Sequence, residues 1–411
     1  MNREVLFITN NFPAPEYRRT WKKAVSLSQE GYRVKIICPR NKNRIGLRKY
    51  RKIRVYYFKK NFSRNSLLSL FFGELLDFVK AANLTLKLYL KHKFKVIHFI
   101  NPTDILGLIA VFLKIFGSTF IYEINENYPK KLKSQLTRHG FIQRLYLNFL
   151  KKLEKFLIKS ADLIFVPNSL QKFRITPFVG HKKNKIVTIE PFPDLKDFYQ
   201  PFINKDYKRG YKYMVLFSGS IRLKKEFIKL IGAINFILKD LGRKDILFVI
   251  AGDGKDKEKI AKHCSNLKIN ELVHFTGWLS QKKLLNYLNA ADLGIVLESN
   301  DSKRVNIRDS IFEFMAVGKP LIAYNSKTGQ SRIGEAGKFI EKGNEMLLAK
   351  EIIRTLDNRE RSRIMGKIGK LRIEKKFNWI KSEIKLTSIY QSLFISHEIG
   401  SNHISANQQK P

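Results

Sequence analysis

Phe217-Ser-Gly-Ser-Ile-Arg-Leu-Lys-Lys follows a run of apolar, strand-favouring residues and opens a helical pattern. Its residue types suit an anion. Gly219 lets the backbone turn tightly, and Ser220 offers a hydroxyl and an N–H. Arg222 and Lys225 fall where a helix N-terminus already favours negative charge. A diphosphate needs that combination of forked donor, point charge and backbone donors. A plain strand-to-helix turn with surface bases has the same composition, so spacing alone leaves the two readings level.

Three further segments keep it company. Ala251-Gly-Asp-Gly, with Gly252 and Gly254, comes directly after the strand-like ILFVI. Lys257 stands where the third glycine of a dinucleotide fingerprint would fall, and no Gly-Lys-Ser/Thr follows, so by itself it reads as a tight turn. In His274-Phe-Thr-Gly-Trp-Leu, Gly277 can admit a planar ring against the backbone, while Trp278 and Leu279 can line a base. A Trp there also serves as an interface anchor. In Asp309-Ser-Ile-Phe-Glu-Phe-Met-Ala-Val-Gly-Lys-Pro, Glu313 can hold two ribose hydroxyls bidentately from a helix start, with Ser310 beside it. Ser310-x-x-Glu313 is equally a capping box. Both readings put Glu313 in the same turn.

The elements that would position these residues alternate. Strands are expected at Val5–Ile8, Val34–Cys38, Val55–Phe58, Val96–Phe99, Thr119–Glu123 and Asp162–Val166. Helices are expected at Tyr17–Glu30, Leu67–Lys91, Ile105–Phe116 and Phe141–Ser160. Pro191, Pro193 and Pro201 mark a linker, after which strand and helix alternation restarts at Tyr213–Phe217. Such alternation predicts parallel sheets covered on both faces. The expected fold is α/β with two Rossmann-like domains, residues 1–200 and 201–377, and an interdomain cleft. A C-terminal helix of about 378–396 is expected to pack back on the first domain, with a disordered tail at 397–411.

Length and composition agree with two cores: 411 residues exceed what one core usually serves, and 44% are apolar. Charge is lopsided, with 78 Lys and Arg against 35 Asp and Glu. Thirteen basic residues and no acidic one fall between Gly31 and Gly73. Such a surface attracts nucleic acid, an anionic membrane or a nucleotide, or is simply a solvated face. Cys38 and Cys264 sit in different domains without metal-ligand spacing, which argues against a zinc site or disulfide framework. The first apolar run is short and ends in Asn-Asn, as a first strand does and a signal peptide does not. No apolar run approaches the roughly 20 residues of a membrane span. A cytoplasmic location is expected.

Together the segments resemble family 4 retaining glycosyltransferases, of glycosyltransferase-B architecture. The order of strand-Gly-Ser-Ile-Arg, AGDG, VHFTGWL, AADLGIVL and FEFMAVGKPLIA is that of the family's C-terminal half. In the N-terminal half the likeness rests on EGYRVKIICP, FKVIHFINPTDILG, FIYEINENYP, SADLIFVPNSL and PFPDL. The resemblance implies transfer, with retention, from a nucleoside diphosphate sugar held by the C-terminal half to a glycan or lipid-linked acceptor. Surface polysaccharide or glycolipid synthesis in a bacterium is the implied setting. Neither a cofactor nor an essential metal is implied. Position by position, Lys225 matches the phosphate lysine, Arg222 substitutes for an arginine that Ser220 replaces, and Glu313 matches the second of a paired-glutamate motif. Gly277 to Leu279 match the base-lining segment.

Some positions depart from the pattern. Val305 stands for the first glutamate of the pair, and Ser310 for a frequent lysine. Asn10-Asn11-Phe12-Pro13 replaces a Gly-Gly loop. Asn125, ahead of Glu126, replaces a histidine; it can hydrogen-bond a sugar hydroxyl but cannot act as a base. Asn125 and Glu126 are the catalytic candidates. The alternative is a catalytically impaired relative that binds a sugar nucleotide or scaffolds an assembly. A dehydrogenase is excluded by the incomplete glycine fingerprint.

Phe141–Ser160 reads FIQRLYLNFLKKLEKFLIKS, apolar at three and four with lysines between. It fits an interfacial helix or a helix packed on the sheet. With the basic Gly31–Gly73 stretch it suggests peripheral attachment to an anionic inner leaflet. Nucleic acid is disfavoured, because aromatic residues do not interleave with the basic ones.

Overall fold

The protein is described from a computed structural model, which covers residues 3–10, 14, 18–40, 47–50, 52–60, 67–102, 104–133, 140–198, 206–221, 225–254, 256–297, 309–341 and 343–407. The chain divides into an N-terminal unit, residues 1–191 with 381–411, and a C-terminal unit, residues 192–380.

The N-terminal unit runs β1 (Glu4–Thr9), α1 (Arg18–Gln29), β2 (Arg33–Pro39), β3 (Leu47–Tyr50), β4 (Ile53–Phe58), α2 (Leu67–His92), β5 (Val96–Ile100), α3 (Gly107–Lys114), β6 (Thr119–Glu123), α4 (Tyr128–Lys133), α5 (Phe141–Ser160), β7 (Leu163–Val166), α6 (Ser169–Val179) and β8 (Ile186–Thr188). Its sheet order is β3-β4-β2-β1-β5-β6-β7-β8. Every residue of β1 and β5 is buried, as expected of central strands covered on both faces. Strand order reverses between β1 and β5, and ligands of such sheets sit beyond the carboxyl ends there. One strand departs from the parallel expectation. β3 pairs antiparallel with β4, Leu47 opposite Tyr56 and Tyr50 opposite Ile53. Leu-Arg-Lys-Tyr has no apolar face; the return of the chain along the edge of β4 makes it a strand.

The C-terminal unit runs β9 (Tyr213–Ser218), α7 (Lys225–Lys239), β10 (Ile246–Ala251), α8 (Lys257–Asn266), β11 (Val273–Gly277), α9 (Gln281–Ala290), β12 (Leu293–Val296), α10 (Asp309–Ala316), β13 (Leu321–Tyr324), α11 (Lys327–Ile333), β14 (Gly337–Ile340), α12 (Glu345–Asp357) and α13 (Arg359–Lys375). The sheet order β11-β10-β9-β12-β13-β14 is all parallel and reverses between β9 and β12. Two apolar layers, one on each face, close its core.

The last helix, α14 (Trp379–Asn407), belongs from Lys381 onward to the N-terminal unit. Buried Tyr390 places its hydroxyl 2.7 Å from His98 Nδ1, and Phe394 packs on Tyr32. The helix runs to Asn407, and His397 Nε2 lies 2.8 Å from Thr119 Oγ1. The compact units divide at residues 191/192 and 380/381, beside the sequence-based bounds of 200/201 and 377/378. Phe192 packs at 5.3–5.4 Å from Phe312 and Phe377, and the Trp379 N–H donates to the Pro193 carbonyl. Both crossings are thereby fixed to the C-terminal unit.

Candidate functional site

Three turns line the carboxyl edge of β9, β10 and β11, and backbone hydrogen bonds join them. Gly219 N–H donates to the Ala251 carbonyl at 2.9 Å, Ile221 to Asp253 at 3.0 Å, and Gly252 to Gly277 at 3.0 Å. Gly219 and Gly252 have φ of +152° and +154°, which glycine alone adopts without strain. A Cβ on Gly254 would lie 1.9 Å from the Ile221 carbonyl oxygen. The glycines of AGDG thus have a structural reason: the turn after β9 lies against them. Ser220 is exposed at the head of this row. Trp278 is 69% exposed, while Leu279 packs against the core under the sheet.

Lys225 is the first residue of α7, the helix that follows the Gly219 turn. Arg222 lies outside the described residues, as does Val305. Past the end of β12 the chain resumes at α10, where Ser310 and Glu313 are both buried. Ser310 is the second residue of the helix, and among the described residues its Oγ has no hydrogen-bond partner. It therefore does not act as the capping residue that its spacing to Glu313 suggested. A buried hydroxyl without a partner is costly and asks for a ligand atom or water.

In the N-terminal unit, Asn125 and Glu126 follow β6 directly. Asn101, at the end of β5, clamps them. Its Oδ1 accepts from the N–H groups of Asn125 (2.9 Å) and Glu126 (3.3 Å), and its Nδ2 donates to the Glu126 carbonyl (2.7 Å). Asn125 Nδ2 donates to Glu123 Oε1 at 2.8 Å. Glu126 pairs with Lys131 at 2.6 Å. Beneath them lies a buried polar chain. Lys23 Nζ is 2.7 Å from Glu123 Oε1, and His98 Nε2 is 3.0 Å from Glu123 Oε2, off the hydrogen-bond axis. Burial alone would raise the Glu123 carboxyl, but the Lys23 charge and His98 outweigh it and hold it well below the usual carboxylate range. Burial pushes His98 down, against the pull of Glu123. His98 Nδ1 and the Tyr390 hydroxyl share a hydrogen bond whose direction follows the imidazole tautomer.

Two more buried acids sit in this unit. Asp104 accepts from the Tyr122 hydroxyl at 2.7 Å, its Oδ2 has no partner among the described residues, and burial pushes it up to about 7. Glu74, also raised by burial, accepts from Tyr146 at 2.7 Å and from Tyr128. Among the described residues, no three His, Cys, Asp or Glu side chains are grouped to hold a metal ion, and no helix is long and apolar enough to cross a membrane.

Known proteins match both units. The family described as Glycosyltransferase Family 4 matches residues 18–197, and Glycosyl transferases group 1 matches residues 200–372. The chain is a glycosyltransferase whose two halves match these two family models. An uncharacterized glycosyltransferase of Methanocaldococcus jannaschii, MJ1069, is 25% identical over 299 residues, 70% of this chain and 72% of that one. Sucrose-phosphate synthase from Thermosynechococcus elongatus superposes with a TM-score of 0.74 at 18% identity, over 96% of this chain and 99% of that one. Anabaena Alr3699/HepE, solved in complex with UDP-glucose, superposes at 0.67 and 11% identity over 95% and 99%. The fold is that of glycosyltransferase-B enzymes.

For this glycosyltransferase, the structure brings Gly219, Ser220, Gly252, Gly254, Gly277 and Trp278 to one sheet edge and sets Ser310 and Glu313 in one helical turn. Sequence reasoning missed Lys257, whose Nζ would sit 3.5 Å from a Cβ on Gly277. It also missed Asn101, Glu123, Lys23 and His98. His98 and Glu123 had one local signal, a charged or polar residue inside an otherwise apolar strand, in VIHFI and TFIYE.

Proposed function

We propose that this glycosyltransferase moves a sugar from a nucleoside diphosphate sugar, with retention, to a glycan or lipid-linked acceptor at an anionic membrane surface. The observation that carries it is the hydrogen-bonded row of turns along the carboxyl edge of β9, β10 and β11, with Lys225 as the first residue of α7, the next helix after the β9 turn. Backbone amides there, with Ser220, Arg222, Lys225 and Lys257, would take the charge of the departing diphosphate, which assigns that work to the protein and not to a metal. Glu313, with Ser310, would hold the ribose hydroxyls. Trp278 and Leu279 would flank the base. HepE, solved with UDP-glucose, supports a uridine donor as the first to try.

The membrane part of the reading is supported by α5. Tyr146, Leu147, Leu150, Leu153 and Leu157 bury one face, yet Phe141, 80% exposed, and Ile142, Leu145 and Phe149 stay on the surface. Phe72, Leu76 and Val79 of α2 are also exposed. Apolar residues with lysines about them match an interfacial helix. This fits synthesis of a surface polysaccharide or glycolipid on the cytoplasmic face of a membrane.

A second reading, a sugar-nucleotide binder without turnover, is favoured by Asn125, which cannot act as a base. Thermal-shift titration with UDP, UDP-glucose and other nucleoside diphosphates tests both. Stabilisation by one of them with release of UDP on incubation supports transfer. Stabilisation without release under any acceptor supports the binder. No stabilisation by any nucleotide removes both.

A further inference from the structure

Glu123 is where the buried polar chain meets Asn125. Its Oε1 accepts from Lys23 Nζ at 2.7 Å and from Asn125 Nδ2 at 2.8 Å. The Lys23 and Glu123 side chains are 4% and 3% exposed. A carboxylate paired with a buried ammonium stays ionised, and an ionised carboxylate only accepts. The Asn125 amide then has one orientation open to it. Its Nδ2 faces Glu123 and its Oδ1 faces away. The backbone around it is fixed as well, since Asn101 holds the N–H of Asn125 and both backbone groups of Glu126. Among the described residues, nothing donates to Asn125 Oδ1.

We propose that Glu123 is a positioning residue: by holding Asn125 Nδ2 it presents Asn125 Oδ1 to the substrate as a fixed acceptor, so the group recognised there carries a hydrogen to donate, as a sugar hydroxyl does. A histidine at this position could donate or accept according to its tautomer. Asparagine tied to a carboxylate can only accept outward. The consequence for substrate rests on the proposed sugar transfer; the amide orientation does not.

Glu123→Gln alone would strand the Lys23 ammonium, so the test uses Lys23→Met/Glu123→Gln, which removes both charges together. Asn125→Asp is then made in the wild-type protein and in that background. The assay follows hydrolysis of UDP-glucose to UDP and glucose. With Glu123 present, Asn125→Asp sets two carboxylates against each other and should lower kcat/KM by at least about tenfold. In the double variant the new carboxylate can accept from the glutamine amide and keep an oxygen outward. There Asn125→Asp should change kcat/KM by less than about threefold. Equal losses in both backgrounds would overturn the proposal.

A measurement on the wild-type protein needs no stable Glu123 variant. The Asn125 side-chain NH2 signals, assigned by their disappearance in Asn125→Asp, should include one proton shifted downfield and slow to exchange. Two ordinary, fast-exchanging protons would overturn the orientation. If UDP-glucose is not turned over by the wild type, the sugar-transfer reading loses its support, and the amide signals alone decide the Glu123–Asn125 geometry.

Discussion

A methyl group on Gly252 would lie 1.8 Å from the carbonyl oxygen of Gly219. The turn after β10 fits beneath the turn after β9 only because residue 252 has no side chain, and its φ of +154° adds a second reason. Gly252→Ala should destabilise the C-terminal unit by at least ~2 kcal/mol, since both strain and a backbone clash must be relieved. Differential scanning calorimetry checks this. An unchanged Tm would mean that the two turns part without cost. UDP binding should weaken alongside, because the row of amides is broken where they meet.

Lys257 begins α8 beside Gly277, and Lys225 begins α7. If these ammonium groups meet the diphosphate, each substitution by Ala removes a charged hydrogen bond worth about 1.5–3 kcal/mol, so the Kd for UDP should rise on the order of ten- to a hundredfold. Uridine, which lacks phosphate, should bind both variants as it binds the wild type. Calorimetric titration with the two ligands separates phosphate contacts from general loss of structure. Unchanged UDP affinity in Lys225→Ala removes the phosphate assignment.

Asp104 should make stability depend on pH. Its carboxyl is pushed up to about 7 in the fold by burial, against an ordinary 3.8. Between these values the native protein keeps the proton and the unfolded chain releases it. Stability should therefore fall as pH rises from about 4 to about 7 and level off above, by at most ~4 kcal/mol from this group. Asp104→Asn, which stays neutral throughout, should flatten that slope. Urea melts at pH 5 and pH 7.5 decide it; an equal slope in both proteins would mean Asp104 is ionised in the fold.

Phe141→Glu and Leu145→Glu place charges on the exposed side of α5, where the two side chains are 80% and 62% exposed. Flotation with anionic vesicles should drop sharply in the pair while Tm holds, since both positions are solvent-facing. Neutral vesicles should recruit the wild type poorly, and added salt should weaken recruitment. Equal flotation on neutral and anionic vesicles at moderate salt would sink the membrane reading.

Elements with a clear period were legible at once. β6 and α5 fall at Thr119–Glu123 and Phe141–Ser160, as read from the sequence. β3 was not, because Leu47-Arg-Lys-Tyr owes its conformation to pairing with β4 and not to a face of its own. In the C-terminal unit the glycine turns were visible as motifs, but the reason for Gly252 and Gly254 was not. It lies in carbonyl groups some 33 residues upstream. The Ser310 to Glu313 spacing was read correctly and its geometry was not, since the helix starts one residue earlier. Lys23 and Glu123 are 100 residues apart. Only the sheet brings α1 and β6 together, so no local pattern announces the pair or its hold on Asn125.

The four residues of β3 have one more effect. An outermost strand with free N–H and C=O groups is a template on which a second copy can zip. Here that place is taken by a short strand carrying Arg48 and Lys49, both turned to solvent. Two such borders brought side by side would set like charges against one another along their whole length. The sheet therefore ends in an electrostatic fence, and salt, by screening it, should be what first lets molecules of this protein stick to each other.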